Sequence, residues 1–328
     1  MKKTILASAI AAATFSGAAL AQESNLPTVY GNIQYAISHD NFDGGPSSVE
    51  HFDNGSTLGV THEHEIAPGV TGFFKMELEG IDADDKSKSS GIDGLDEAYI
   101  GVKGDSFGKI WVGSDDSTYE TAIDEIANYY EVGSMNLGGD YDTGEGDLVQ
   151  YLSPSFGGLT LGAAVQINGD DDNKGNGKKS YPWQLAAMYN VDALELAFAI
   201  DSNDTGSANN DNTYGLRASY TAGDLRVTGE YQTRKDVRDV IGLMGVYTMG
   251  KNQFALSYEL GEADGDAGDD KQDVITLQAL HNLSDHMYVY VEGYFGGGDD
   301  VYEYTDSLGN NAVTDERTLA AVGAVYYF

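Results

Sequence analysis

The chain has 328 residues, 53 of them acidic and 18 basic, for a formal net charge of −35, and it contains no cysteine. The missing thiol excludes disulfide frameworks, thiolate metal sites and thiol nucleophiles, and the acidity sets the chain against nucleic acid, whose phosphates it repels. Glycine is abundant at 42, proline scarce at 5, and Tyr at 22 far outnumbers Trp at 2, a balance that favours many strands joined by tight turns, with aromatics at an interface.

At the N-terminus, Lys2 and Lys3 precede an apolar run from Ile5 to Leu20 that ends in Ala19-Leu20-Ala21. This is the pattern of a secretory signal with a small-x-small cleavage site, so residues 1–21 are expected to be a signal peptide and the mature chain to start at Gln22. Removing Lys2 and Lys3 leaves 16 basic residues against 53 acidic ones, a mature net charge of about −37. The run is too short to span a bilayer as a helix, and no later stretch approaches about 18 consecutive apolar residues. An exported chain without a helical span is still a membrane protein if its strands close into a barrel.

From residue 28 to 328 the sequence shows about sixteen period-two segments: 28–38, 57–66, 69–80, 96–104, 108–114, 147–153, 158–167, 181–190, 193–201, 212–221, 224–233, 238–249, 252–262, 272–283, 286–295 and 318–328. In the third, Val70, Gly72, Phe74, Met76 and Leu78 alternate with Thr71, Phe73, Lys75, Glu77 and Glu79, so one face suits lipid and the other water. Leu159 to Ile167, Leu194 to Ile200 and Phe254 to Leu260 divide in the same way. Soluble sandwiches also alternate, but the links here are sorted by length. Ala67-Pro-Gly69, Val191-Asp192, Ala222-Gly223, Gly250-Lys251 and Ser284-Asp285 are short, whereas 39–56, 81–95, 115–146, 168–180, 202–211, 263–271 and 296–317 are long and mostly acidic, with 234–237 the short exception. Short turns on one side and long loops on the other, with an even strand count, describe a transmembrane antiparallel β-barrel of about 16 strands occupying 22–328. The last segment places Ala320, Val322, Ala324, Tyr326 and Phe328 on one face and ends on the terminal residue.

Several short motifs occur in order along this frame: Val29-Tyr-Gly31, Leu58-Gly59, Ala98-Tyr-Ile-Gly-Val-Lys-Gly104 with Phe107-Gly108 and Gly113, Tyr151-Leu-Ser-Pro154 with Phe156-Gly157-Gly158, Leu283-Ser284, and Gly323 with Phe328. Together they make the chain resemble the general bacterial porins of Gram-negative outer membranes. The resemblance implies a homotrimeric diffusion porin, its third loop folded into a water-filled lumen and its terminal aromatics, Tyr326 and Phe328, read by the barrel-assembly machinery. The expected partners are outer-membrane lipid, further copies of the chain, and small hydrophilic solutes and cations.

By that resemblance the third loop is 115–146. It carries Asp115, Asp116, Glu120, Asp124, Glu125, Glu131, Asp140, Asp142 and Glu145 without a single Lys or Arg, and its segment Thr121 to Tyr130 has room for a short helix. A solvated acidic loop is the plain alternative; its place after the fifth strand favours the pore-lining reading, with Asp115, Asp116, Glu120, Asp124, Glu125 and Glu131 at the constriction. The opposing inner wall is assigned to Thr57, Lys75, Asp96, Lys103 and Ser114, with Lys109 a further inward candidate. Where the family sets arginines, this chain aligns Thr57, Asp96 and Ser114, so the basic half of the constriction is expected to be depleted and the lumen to favour cations. The same acidity also fits adaptation to high external salt, where screening shortens the reach of each charge.

Other constellations carry less. His62 and His64 share a strand face about 7 Å apart, which suits an interfacial pair better than a metal site. The tracts Gly169 to Asp172 and Ala263 to Asp270 are rich in Asp and Gly but lack the spacing of known calcium loops. The six histidines accompany no nucleophile signature, so no catalytic residues, metal site or cofactor are assigned. Tyr30, Tyr189, Tyr220, Tyr247, Tyr326 and Phe328 are expected in one interfacial girdle and Trp183 near the other. A solute-specific barrel and a secreted, acidic, calcium-binding β-protein remain as alternative functions.

Overall fold

An alternating strand buries one face only against its surroundings, and its backbone groups are satisfied only by neighbouring strands. The computed structural model describes residues 26–89, 91–92, 94–167, 180–205, 210–265, 268–306 and 308–328; the expected signal segment 1–21 and the tract 169–172 lie outside the described residues. The strands are β1 (Thr28–Phe42), β2 (Ser47–Asp53), β3 (Thr57–Ala67), β4 (Val70–Glu79), β5 (Gly94–Gly104), β6 (Gly108–Ser114), β7 (Leu148–Leu152), β8 (Leu159–Gln166) and β9 (Trp183–Val191). They continue as β10 (Leu194–Asp201), β11 (Thr213–Ala222), β12 (Leu225–Arg234), β13 (Arg238–Met249), β14 (Asn252–Ala263), β15 (Lys271–Ser284), β16 (Met287–Thr305) and β17 (Asn311–Tyr327). No described helix is long and apolar enough to cross a membrane.

From β3 onward each strand pairs antiparallel with the next, and β17 returns to β1 along Asn32 to Phe42, closing the sheet. β3 pairs with the start of β1, Thr28 to Asn32, and β2 with its later part, Tyr35 to Asn41. The two are therefore halves of one stave, and the barrel has sixteen. The break between them is an Asx turn in which Asp53 Oδ1 accepts from the backbone N–H of Gly55 and Ser56 at 3.1 and 2.8 Å. At the seam Phe328 and Gly31 exchange both backbone hydrogen bonds, at 3.1 and 3.2 Å. The Phe328 ring lies where a Cβ on Gly31 would stand, 2.7 Å from its Cζ.

Apolar side chains point outward, where Ile100, Leu243 and Leu256 are 64%, 60% and 54% exposed. The two-residue turns place Asp192, Gly223 and Gly250 at φ of 51 to 61°, the left-handed backbone that lets a tight turn follow the twist of its strands.

Several expectations are corrected. The segments 39–56 and 296–317 are not open loops: β1 turns into β2 through 43–46, and β16 and β17 pair out to Thr305↔Asn311, so the last strand starts before residue 318. These hairpin arms mix polar and apolar residues, so the strict alternation vanishes while the ladder resumes beyond a bulge between Gly297 and Tyr302. Tyr30 does not join the outer girdle. It faces inward with its ring 6.0 Å from the Lys75 ammonium, whereas Tyr220, Tyr247, Tyr326 and Phe328 do face out.

The segment after β6 folds into the interior and packs on the inner wall. Ile126, Tyr130, Met135 and Leu137 pack on inward residues of β13–β17, among them Val240, Met244, Val274, Tyr294 and Leu319. Tyr119, Ala122 and Ile123 pack on Ala186, Ala197 and Ala199 of β9 and β10. Here the inner wall is itself apolar, because it seats a loop instead of facing water.

Candidate functional site

The loop leaves β6 where Trp111 Nε1 donates to Asp115 at 2.6 Å, and its two ends are tied by the Asp115 N–H donating to the Glu145 carbonyl at 3.0 Å. Ser117 caps the only helix of the loop, α1 (Thr118–Ile123), by accepting from the Glu120 N–H at 3.1 Å. The helix thus starts three residues before the expected Thr121 and ends at Ile123, and 124–130 continues as turns. Thr118 Oγ1 donates to Gln150 of β7 at 2.8 Å, Gln184 of β9 accepts from the Tyr119 N–H at 3.0 Å, and Tyr119 Oη donates to Gln232 of β12 at 2.9 Å.

Beyond the helix the loop lacks regular structure, and buried backbone N–H groups there need partners. The inner wall supplies carboxylates. Glu230 accepts from the Ile126 N–H at 3.0 Å, Glu259 from the Leu137 N–H and Asn136 Nδ2 at 3.1 and 2.5 Å, and Glu292 from the Glu131 and Val132 N–H at 2.5 and 2.9 Å. The loop thereby crosses the lumen along β8–β16 and is met by Asn54, whose Nδ2 donates to the Glu131 carbonyl at 2.9 Å.

Of the six loop carboxylates assigned to the constriction, three are turned into this seat. Asp124 is 4% exposed, accepting from Tyr141 Oη and Gln232 Nε2 at 2.8 and 2.6 Å, and burial pushes its carboxyl up to about 6. Glu131 is buried and accepts from Tyr288 Oη at 3.0 Å. Glu125 is gripped by two arginines: Arg226 reaches its two oxygens at 2.7 and 2.8 Å and Arg217 pairs with Oε2, while Thr228 Oγ1 adds a bond at 2.7 Å. Burial alone would raise its pKa, but the guanidinium and hydroxyl donors outweigh it and hold the carboxyl at about 2.

The other three, Asp115, Asp116 and Glu120, are half-buried at the loop entrance with Glu145, and none of these four forms an ion pair among the described residues. Burial and the neighbouring Glu97 push Asp115 up to about 6; burial, Glu120 and Glu97 push Asp116 up to about 8.

On the opposing wall, Thr57 is buried and accepts from Asn32 Nδ2 at 2.8 Å. Lys75 lies 2.5 Å from Glu97 and 3.8 Å from Glu77, Asp96 is the extra residue of a bulge between those strands, and Lys103 pairs with Glu63. Lys109 rests 4.0 Å from the Trp111 ring. Ser114 shares the parity of Ile110 and Val112, the outward face, so it does not oppose the loop.

The expected depletion of basic residues rests on Thr57, Asp96 and Ser114 alone, and the wall elsewhere carries arginines. All five arginines, Arg217, Arg226, Arg234, Arg238 and Arg317, stand at inward positions of β11–β17. Parity was the available signal, since Arg217 sits between the outward Leu216 and Ala218, and Arg226 between Leu225 and Val227.

The Gram-negative porin family model matches residues 7–301. The chain belongs to that family. A monosaccharide porin of a Halomonas species and the major outer membrane protein of Halomonas elongata are each 30% identical to it over the full length of both chains. The anion-selective porin of Comamonas acidovorans shares its fold with a TM-score of 0.75 at 19% identity, covering 92% of this chain and 99% of that one. OmpF of Salmonella typhi does so with a TM-score of 0.73, also at 19% identity, over 94% and 99%. This porin is therefore an outer-membrane channel protein with an inward third loop, and likeness of fold alone does not decide which ions such a lumen prefers.

Proposed function

We propose that this porin is a passive, water-filled channel for small hydrophilic solutes and that it prefers cations. The observation that carries the reading is an imbalance of pairing. Arg217, Arg226, Arg234 and Arg317 and the wall lysines Lys75 and Lys103 each hold a carboxylate, while Asp115, Asp116, Glu120 and Glu145 at the loop entrance hold no basic partner among the described residues. In a narrow lumen with low-dielectric walls, unmatched carboxylates concentrate cations and repel anions. The chain has no assigned catalytic residues, and passage requires only an open path. The name of the monosaccharide porin, 30% identical, supports monosaccharides among the solutes. Assembly as a homotrimer through the outer wall, and insertion guided by Tyr326 and Phe328, complete the proposal.

The test is a planar-bilayer recording under a tenfold KCl gradient at about pH 9, where Asp115 and Asp116 are ionised. The reversal potential should have the cation-selective sign, and replacing Asp115 and Asp116 by Asn together with Glu120→Gln should move it toward zero, most strongly at low salt where screening is weakest. An anion-selective wild type, or a potential unmoved by the triple variant, would favour acidity as a surface adaptation to salt.

A further inference from the structure

Four of the five arginines have their charge matched. Arg217 and Arg226 hold Glu125 and Glu195, Arg234 holds Asp140 and Asp142 at 2.9 and 2.8 Å, and Arg317 grips Asp40 at 3.0 and 2.7 Å. Arg238, the first residue of β13, is different. Among the described residues no carboxylate lies within 4.0 Å of it, and its one hydrogen bond goes from Nη2 to Gln272 Oε1 at 3.3 Å. The acids within its electrostatic reach are engaged elsewhere, Asp140 by Arg234 and Glu259 by Asn136 and the Leu137 N–H. Its guanidinium lies across Gly261 of β14, where a Cβ would collide with Nη2, Nε and Cζ. The missing side chain is what lets it lie there.

Arg238 lines a cavity of about 340 Å³ together with Arg317, Gln272, Ser134, Asn136 and Tyr302, near the low end of the size range of small-molecule sites. These residues stand at the long-loop end of β13, β15, β16 and β17 and on the far stretch of the third loop, away from Asp115 and Asp116 at its start. Phe42 lies beneath Arg317, its ring 5.0 Å from the guanidinium carbon. Glu303, the one acid of the lining, is exposed to solvent.

We propose that this recess is a docking site for the carboxylate of a small hydroxylated or amino-bearing solute. Arg238 supplies the planar fork of donors that fits a carboxylate better than a point charge does, and the amide of Gln272 and the exposed hydroxyl of Ser134 offer partners for the body. An unmatched guanidinium in a lumen otherwise dominated by carboxylates is where such a group gains most. The site lies apart from the loop entrance, so it stands even if the pore shows no cation preference.

The experiment uses the full-length porin in planar bilayers, with D-glucuronate, D-glucose or L-alanine added on the long-loop side. D-Glucuronate should interrupt the current in resolvable events that D-glucose does not produce. Arg238→Gln should shorten the dwell time about tenfold or more. Gly261→Ala, which keeps every charge but displaces the guanidinium, should act in the same direction, both variants still forming open channels in the same bilayers. Events with D-glucuronate alone support the site for anions, and events with L-alanine as well extend it to zwitterions. Equal interruption by D-glucose, or dwell times unchanged in both variants, would overturn the proposal.

Discussion

Replacing Glu125 by Gln tests whether the third loop is held by charge or only by packing. The carboxylate receives two bonds from Arg226, one from Arg217 and one each from Thr228 and Ser219. Held at about 2 instead of its ordinary 4.5, it is favoured in its charged form by about 3 kcal/mol, and its side chain is only 12% exposed, so solvent screens little of that. A neutral amide keeps one acceptor oxygen and forgoes most of the rest. It also leaves two guanidiniums, 13% and 23% exposed, to share Glu195. The seated loop should lose about 2–3 kcal/mol, which multiplies the unseated population by roughly 30- to 150-fold. Hydrogen exchange reads this directly at the Ile126 amide, which is bonded to Glu230 inside the seat. Its exchange should accelerate by that factor while amides in the β13–β14 ladder stay unchanged, and channel records should gain flicker. Ile126 exchange within about threefold of wild type would show that the apolar seat alone holds the loop.

The raised carboxyls make selectivity depend on pH. Lowering the pH from about 9 to about 5 should protonate Asp116, near 8, then Glu145, near 7, and then Asp115, near 6, and the cation-selective potential should shrink steadily across that range; a flat profile refutes this. For stability the signs oppose. The protonated forms of Asp115 and Asp116 favour the seated loop, a contribution full below the ordinary carboxylate range and lost as pH rises through about 6 and 8, whereas that of Glu125 is present above 4.5 and lost as pH falls toward about 2. Ser117→Ala removes the acceptor for the Glu120 N–H and should loosen α1 by about 1 kcal/mol, seen as faster exchange at Glu120 with the barrel's melting unchanged. Deleting Phe328 removes the backbone pair with Gly31 that extends the β1–β17 seam and should lower the yield of inserted porin more than its heat stability; unchanged outer-membrane levels would show the terminal residue to be dispensable.

The staves, their order and the outward face were legible in the chain, because a closed barrel in lipid enforces alternation along every strand and length sorting on its links. The ends of Gly108–Ser114 and Arg238–Met249 coincide with the periodicity. Where that physical demand stops, so does the signal. The mixed arms around Phe42 and Thr305 lose the strict alternation, and Tyr30, an aromatic near a strand end, turns inward because its parity places it beside Lys75. The acidic third loop was visible as composition, yet which of its carboxylates meet water was not. Asp124, Glu125 and Glu131 differ from Asp115 and Asp116 only in the wall residues they reach, Gln232, Arg217 with Arg226, and Tyr288, each roughly a hundred or more residues away along the chain. Such pairings are made by strands that close the far side of the barrel. A local pattern places a residue on a face, and only the closed ring decides what stands across from it.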